Sequence, residues 1–134
     1  MTTMTTTPLT TTLPLSRLRR VTDYIREHLD QHLTLAQLGA VVFMSPYHFA
    51  RLFQHSTGLP PHRFVVRARI DHAATLLAAP DLSISQISRV VGFRSPSHFA
   101  TVFRRLMGVT PRAYRAAYLP AGLSQRGGAR DGME

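Results

Sequence analysis

Residues Leu33–Phe64, LTLAQLGAVVFMSPYHFARLFQHSTGLPPHRF, return with changes as Leu82–Tyr114, LSISQISRVVGFRSPSHFATVFRRLMGVTPRAY. Leu33, Gln37, Val41 and Val42 recur 49 positions later as Leu82, Gln86, Val90 and Val91, and one inserted residue then widens the offset to 50. Ser45, Pro46, His48, Phe49, Ala50, Phe53, Gly58 and Pro61 return as Ser95, Pro96, His98, Phe99, Ala100, Phe103, Gly108 and Pro111. So many ordered matches mark one structural unit used twice.

Each copy reads as a short helix, a turn, a longer helix and a stop. Thr34-Leu35-Ala36-Gln37 and Ser83-Ile84-Ser85-Gln86 fit the capping box, in which a hydroxyl and a Gln satisfy free backbone N–H groups at a helix start. After a turn of about three residues, Ser45-Pro46 and Ser95-Pro96 supply an N-cap hydroxyl and a proline at the first helical position, where its missing N–H costs nothing. Gly58 and Gly108 stand where a left-handed residue ends a helix. The expected fold is all-α: two helix-turn-helix subdomains joined by a linker helix, about seven helices in all.

Outward from the repeats, Leu18, Val21, Ile25 and Leu29 recur at helical spacing and predict a leading amphipathic helix over 16–32. Between the units, 61–78 reads as a joining helix with Phe64, Ala68, Ala73, Leu76 and Leu77 as its apolar positions. The expected organisation is a Thr/Pro-rich tail over 1–14, one folded domain over 15–119 and a second tail over 120–134, both tails reading as disordered. Within the domain the first unit covers about 33–58, the second about 82–108, and a closing helix about 110–118.

The 134 residues carry a net charge of +9, from 16 basic side chains, all arginine, against 7 acidic ones. That balance favours a polyanionic partner, although arginine-only usage also follows from base composition of a genome. No acid falls between Asp30 and Asp71, nor between Asp81 and Asp131, so both repeats lie in acid-free basic blocks. With no cysteine, disulfides, thiol nucleophiles and cysteine-ligated zinc are excluded. No apolar run is long enough to cross a bilayer, and Met1–Leu15 lacks the basic start and apolar core of a secretory signal, which reads as a cytoplasmic protein.

With Tyr47 as origin at roughly 100° per residue, Phe49, Leu52 and Phe53 fall within roughly 140–240° and form a buried face. The opposite side collects Tyr47, Ala50, Arg51, Gln54 and His55, and arginine and glutamine are types that bond base edges or phosphates. The second copy buries Phe99, Val102, Phe103 and Leu106 and turns out Ser97, Ala100, Thr101, Arg104 and Arg105, with Arg94 just before the cap Ser95. An arginine on a helix surface is by itself usually just solvated, and the weight lies in the duplicated arrangement. The same period puts His48 and His98 at the edge of the buried face, where packing or an N-cap contact competes with base reading. His28 and His32 have metal-ligand spacing, but no second His or acidic cluster accompanies them, so no metal or other cofactor is expected. No nucleophile–base pair, paired carboxylates or phosphate-cradling loop is present, so no enzyme is expected.

The stretch Leu33–Tyr114 closely resembles the DNA-binding domain of the AraC/XylS family of bacterial transcription regulators, and the leading helix extends the likeness to about three quarters of the chain. Its most specific part is Val91-Gly92-Phe93, then Ser95, Phe99, Phe103, Gly108 and Val109-Thr110-Pro111. The first unit matches through Leu38, Met44-Ser45, Phe49, Arg51, Leu52-Phe53 and Gly58, and the joining helix through Phe64, Arg69, Ala73 and Leu76-Leu77. Three positions depart from the pattern: Phe43 in a turn where a small residue is common, Gly39 where alanine is usual, and Pro60 in place of the hydroxyl that Thr110 supplies.

The resemblance implies a sequence-specific regulator of double-stranded DNA, an activator that helps recruit RNA polymerase, bound as a monomer with two recognition helices in successive major-groove segments. The DNA-contacting set is Ser45, Tyr47, His48, Ala50, Arg51, Gln54, Arg94, Ser95, Ser97, His98, Thr101, Arg104 and Arg105. Many relatives carry a further ligand-binding or dimerisation domain for which this length has no room, so the chain resembles the stand-alone members or a piece of a longer protein. Competing readings are a non-specific architectural DNA-binding protein, and an interaction module docking its basic helices on a protein or acidic membrane. A methyl-accepting regulator would need the cysteine this chain lacks.

Overall fold

Hydroxyl side chains open most of the helices. The computed structural model describes residues 12–119, in which seven α-helices and no strand occur: α1 Leu15–Glu27, α2 Leu35–Val41, α3 Pro46–Thr57, α4 Pro61–Leu77, α5 Ile84–Val90, α6 Pro96–Met107 and α7 Pro111–Tyr118. Both capping boxes form. The Gln37 N–H donates to Thr34 Oγ1 at 3.1 Å while the Thr34 N–H donates to Gln37 Oε1 at 2.8 Å, and Ser83 with Gln86 repeats both distances. Ser45 and Ser95 cap α3 and α6 by accepting from the backbone N–H of His48 and His98. Gly58 and Gly108 end these helices at φ 84°, a left-handed conformation that glycine takes without a Cβ clash.

The chain divides between Val66 and Arg67, inside α4, into two units. In the first, Val21 and Ile25 of α1, Leu38 and Val42, and Phe49, Leu52 and Phe53 of α3 are buried, with Val65 at the start of α4. The Phe53 ring meets Phe49 at 5.3 Å and Phe64 edge-on at 5.1 Å. The second unit buries Ile70, Ala73, Leu77, Ile84, Ile87, Val91, Phe93, Phe99, Val102 and Phe103. There Phe93, Phe99, Phe103 and Tyr114 form a chain of ring contacts at 5.4–5.6 Å. Such rings bury much apolar area in offset and edge geometries and dominate small helical cores.

Several expectations need adjusting. Leu106 is not a core residue: it is 36% exposed in the last turn of α6, whereas the matching Ser56 of α3 is half-buried and its hydroxyl accepts from the Leu13 N–H of the chain ahead of α1. Along α4 the buried positions are Pro61, Val65, Ile70, Ala73 and Leu77, with Phe64, Ala68 and Leu76 half-buried. The helix gives its first residues to one unit and the rest to the other, so no single stripe describes it. Most of the expected tails lies outside the described residues. Leu13, however, is buried, and its N–H donates to Ser56 Oγ at 2.8 Å, so the first unit engages the chain before α1 begins.

Candidate nucleic-acid interface

Capping and burial together fix which side of each longer helix faces outward. In α3 the inward Phe49, Leu52 and Phe53 leave Tyr47, His48, Arg51, Gln54 and His55 exposed and Ala50 half-buried. In α6 the inward Phe99, Val102 and Phe103 leave Ser97, His98, Thr101, Arg104 and Arg105 exposed and Ala100 half-buried. Arg94 is exposed just ahead of α6, while Ser45 and Ser95 spend their hydroxyls on the caps. Within each unit, the expected residues therefore share one surface. The two imidazoles differ from expectation: only the backbone N–H of His48 and His98 serves the cap, and both side chains are exposed, that of His98 edge-on to Phe93 at 5.5 Å.

The electrostatics of these surfaces follow from the sequence. Helices α2, α3, α5, α6 and α7 contain no carboxylate. Among the described residues Arg51, Arg94, Arg104 and Arg105 make no ion pair, in contrast to Arg67, which lies 4.0 Å from Asp71 along α4. Such unengaged guanidiniums are free to take phosphate or guanine edges with two hydrogen bonds at once. Thr101 Oγ1 donates to Ser97 O at 3.1 Å, so that hydroxyl is turned toward its own helix.

One important residue escaped the periodic reading. Arg115 is only 5% exposed, and its guanidinium donates to three backbone carbonyls: Leu77 O at 3.1 Å, Ala79 O at 3.0 Å and Leu82 O at 2.6 Å. Those carbonyls close α4 and lead into α5, so Arg115 ties the closing helix to the approach to the second unit. Its place four residues after the buried Pro111, on the inward face of α7, is the sequence signal that marks it. His28, singled out for metal spacing, instead places Nδ1 2.7 Å from Tyr24 O and stacks on the Tyr24 ring at 4.0 Å. Among the described residues no group of three or more His, Asp or Glu is placed to hold a metal, and no helix is long and apolar enough to cross a membrane.

Two short-helix, turn, longer-helix units with exposed cationic faces define a helix-turn-helix protein. A helix-turn-helix domain family matches residues 38–117. The regulatory protein PocR of Salmonella typhimurium is 39% identical over 100 residues, covering 75% of this chain and 33% of PocR. The probable transcriptional regulator LumQ of Photobacterium leiognathi is 37% identical over 73 residues, 54% of this chain and 29% of LumQ. Among solved structures, an AraC-type DNA-binding-domain regulator from Chromobacterium violaceum superposes with a TM-score of 0.74 at 26% identity, covering 79% of this chain and 95% of that one. The DNA-binding domain of AdpA, solved in complex with a target DNA, gives 0.71 at 36% identity over 76% of this chain and 92% of that one. The chain belongs to the AraC family of bacterial helix-turn-helix transcription regulators, and it spans about a third of the length of the curated relatives it matches.

Proposed function

We propose that the chain binds specific sequences in double-stranded DNA by laying α3 and α6 into successive major-groove segments, and that it activates transcription by helping recruit RNA polymerase. The observation that carries the reading is the duplicated outward face: Tyr47, Ala50, Arg51 and Gln54 on one helix, Ser97, Thr101 and Arg104 on the other, neither shared with any carboxylate. Ser45, His48, Arg94, Ser95, His98 and Arg105 flank these faces and position them on phosphates. The domain over 15–119 is the DNA-binding part. Activation is supported by one relative, the activator Btr of Bacillus subtilis, 29% identical over 79 residues.

Because the two outward faces differ, one monomer reads two unlike half-sites about 10 base pairs apart, one helical turn. Selection of binding sites from random duplexes tests this directly, and the expected product is an asymmetric bipartite site. Inserting about 5 base pairs between the half-sites turns the second to the far side and should weaken binding by about a hundredfold or more, the gain that two linked contacts hold over one. Log affinity should also fall with log salt at about −0.9 per contacted phosphate. Selection that returns no preferred sequence, with the salt slope intact, would point to the architectural alternative. Transcription from a promoter bearing the selected site, with purified RNA polymerase, tests activation.

A further inference from the structure

The turn ahead of the first reading helix is built on a steric match. A Cβ at Gly39 would lie 2.6 Å from Met44 O and 3.4 Å from Ser45 O, and both are backbone atoms that cannot swing aside. The turn itself is a helix end of defined type: the Phe43 N–H bonds Ala40 O at 3.1 Å and the Met44 N–H bonds Gly39 O at 2.9 Å, around a left-handed residue. The second unit makes the same pair of bonds, Gly92 to Arg89 O at 3.0 Å and Phe93 to Ser88 O at 2.9 Å. Yet there the position of Gly39 is held by Ser88, fully buried with its Cβ in place. Identical bonding therefore admits a Cβ in one copy and excludes it in the other.

The left-handed residue differs between the two turns. In the second unit it is Gly92 at φ 99°, and in the first it is Phe43 at φ 60°. A residue with a Cβ enters only the narrow left-handed well near about 60°, whereas glycine is free to open wider. The φ of this residue sets the path of the chain immediately after it, and the first turn is also one residue shorter, with Met44 running directly into the cap Ser45 where Phe93 is followed by the inserted Arg94. The tighter angle within the shorter turn leaves the Met44 carbonyl over α2. The Phe43 ring, 80% exposed, fills no pocket that would explain its presence. We infer that Gly39 and Phe43 are a coupled positioning pair: Phe43 fixes the turn, Gly39 makes room for it, and together they place Ser45 and the start of α3. Tyr47, Ala50 and Arg51 follow within two turns, so the pair sets the register of the first reading face; in this respect the inference rests on the DNA reading above.

A double-substitution cycle with Gly39→Ser, Phe43→Gly and both together tests it, with Gly39→Ala run as the smaller change. Each full-length protein is titrated against the selected duplex and against one retaining only the second half-site, and each is melted. Gly39→Ser should weaken the full site about tenfold or more and leave the second half-site within about twofold. Phe43→Gly alone should stay near the original protein, and the double variant should return to within about twofold of it. In the melts, Gly39→Ser should lower Tm by about 5 °C or more, and Phe43→Gly should cancel that loss. Equal harm from Gly39→Ser with and without Phe43→Gly overturns the coupling, and equal loss on both duplexes overturns the positioning role. Should the original protein select no duplex at all, the DNA reading fails and the melting cycle alone decides the coupling.

Discussion

The two units share a frame and differ in what they place on it. On α3 the single arginine, Arg51, sits at mid-helix between the exposed Tyr47 and Gln54, so long side chains occupy the outward face. On α6 the first turn and the middle hold short outward side chains, Ser97, Ala100 and Thr101, while Arg104 and Arg105 stand in the last turn and Arg94 precedes the cap. The two copies agree in the parts that build the helices and differ in the parts that face outward. The same contrast runs through the supports. At matching positions after the second helix, the first unit buries Val65 and the second buries Arg115.

The largest test of the shared frame is in the cores. Phe53→Ala and Phe103→Ala should each cost roughly 3 to 5 kcal/mol, since both rings are fully buried and each touches two other aromatic rings. Chemical denaturation measures both. A loss in only one unit would mean that the two cores are not equivalent, whatever their sequences suggest.

Arg115 sharpens the difference between the supports. Arg115→Ala should cost roughly 2 to 3 kcal/mol, because it strips a charged donor from three carbonyls at the end of α4 and beyond. Val65→Ala at the matching place removes apolar contact only, and should cost less, about 1 to 2 kcal/mol. Arg115→Lys should recover only part of the loss, since a single ammonium cannot reproduce the planar fork. Full recovery in the lysine variant would show that charge alone, without the fork, holds the turn.

Much of this was legible in the sequence because it depends on local chemistry. Caps, turn residues and the inward phenylalanines are set by spacing within a few residues, and the repeat let each copy check the other. What was illegible depends on residues brought together by folding. Arg115 reads as one more surface arginine until α7 is packed against the end of α4. Leu106 has the period of a core residue, and its exposure, unlike the half-burial of the matching Ser56 against Leu13, is set only by what folding brings over that turn. Leu13 lies in a Thr/Pro-rich stretch with no helical pattern, and its burial follows from the Ser56 hydroxyl and the α1 entry rather than from its neighbours. Phe43 announced an unusual turn, but its φ and the space left by Gly39 are visible only in three dimensions.

The reading faces give a third, smaller test. Arg51→Ala should lose roughly 1 to 3 kcal/mol and relax preference at one base position, the signature of a bidentate guanine contact. Arg105→Ala, at the flank of the α6 face, should weaken all sequences alike and lower the salt slope by about 1, the signature of a phosphate contact. Measuring each variant against a panel of single-base substitutions at two salt concentrations separates the outcomes. The reverse assignment, with Arg105 reading a base and Arg51 only a phosphate, would break the proposed division between reading residues at mid-helix and phosphate contacts at the helix flank.

The smallest effect concerns how the helices after each unit begin. Thr110 caps α7, with its Oγ1 accepting from the Ala113 N–H at 3.0 Å and its backbone at φ −71°, ψ 158°. Pro60 occupies the matching place before α4 and has no hydroxyl to offer, but its ring locks φ near about −65°, and the following Pro61 pushes it to the extended ψ that a cap requires. One unit thus satisfies the helix start with a hydrogen bond, the other with rigidity. Thr110→Ala should then cost about 1 kcal/mol, the usual worth of a lost cap. Pro60→Thr adds a comparable cap but returns about 0.4 to 1 kcal/mol of freedom to the unfolded chain, so its net effect should lie near zero. Thermal unfolding resolves the two: a gain near 1 kcal/mol from Pro60→Thr would mean that the proline contributes no rigidity, and a loss of that size would mean that the threonine hydroxyl does not reach the Arg63 N–H.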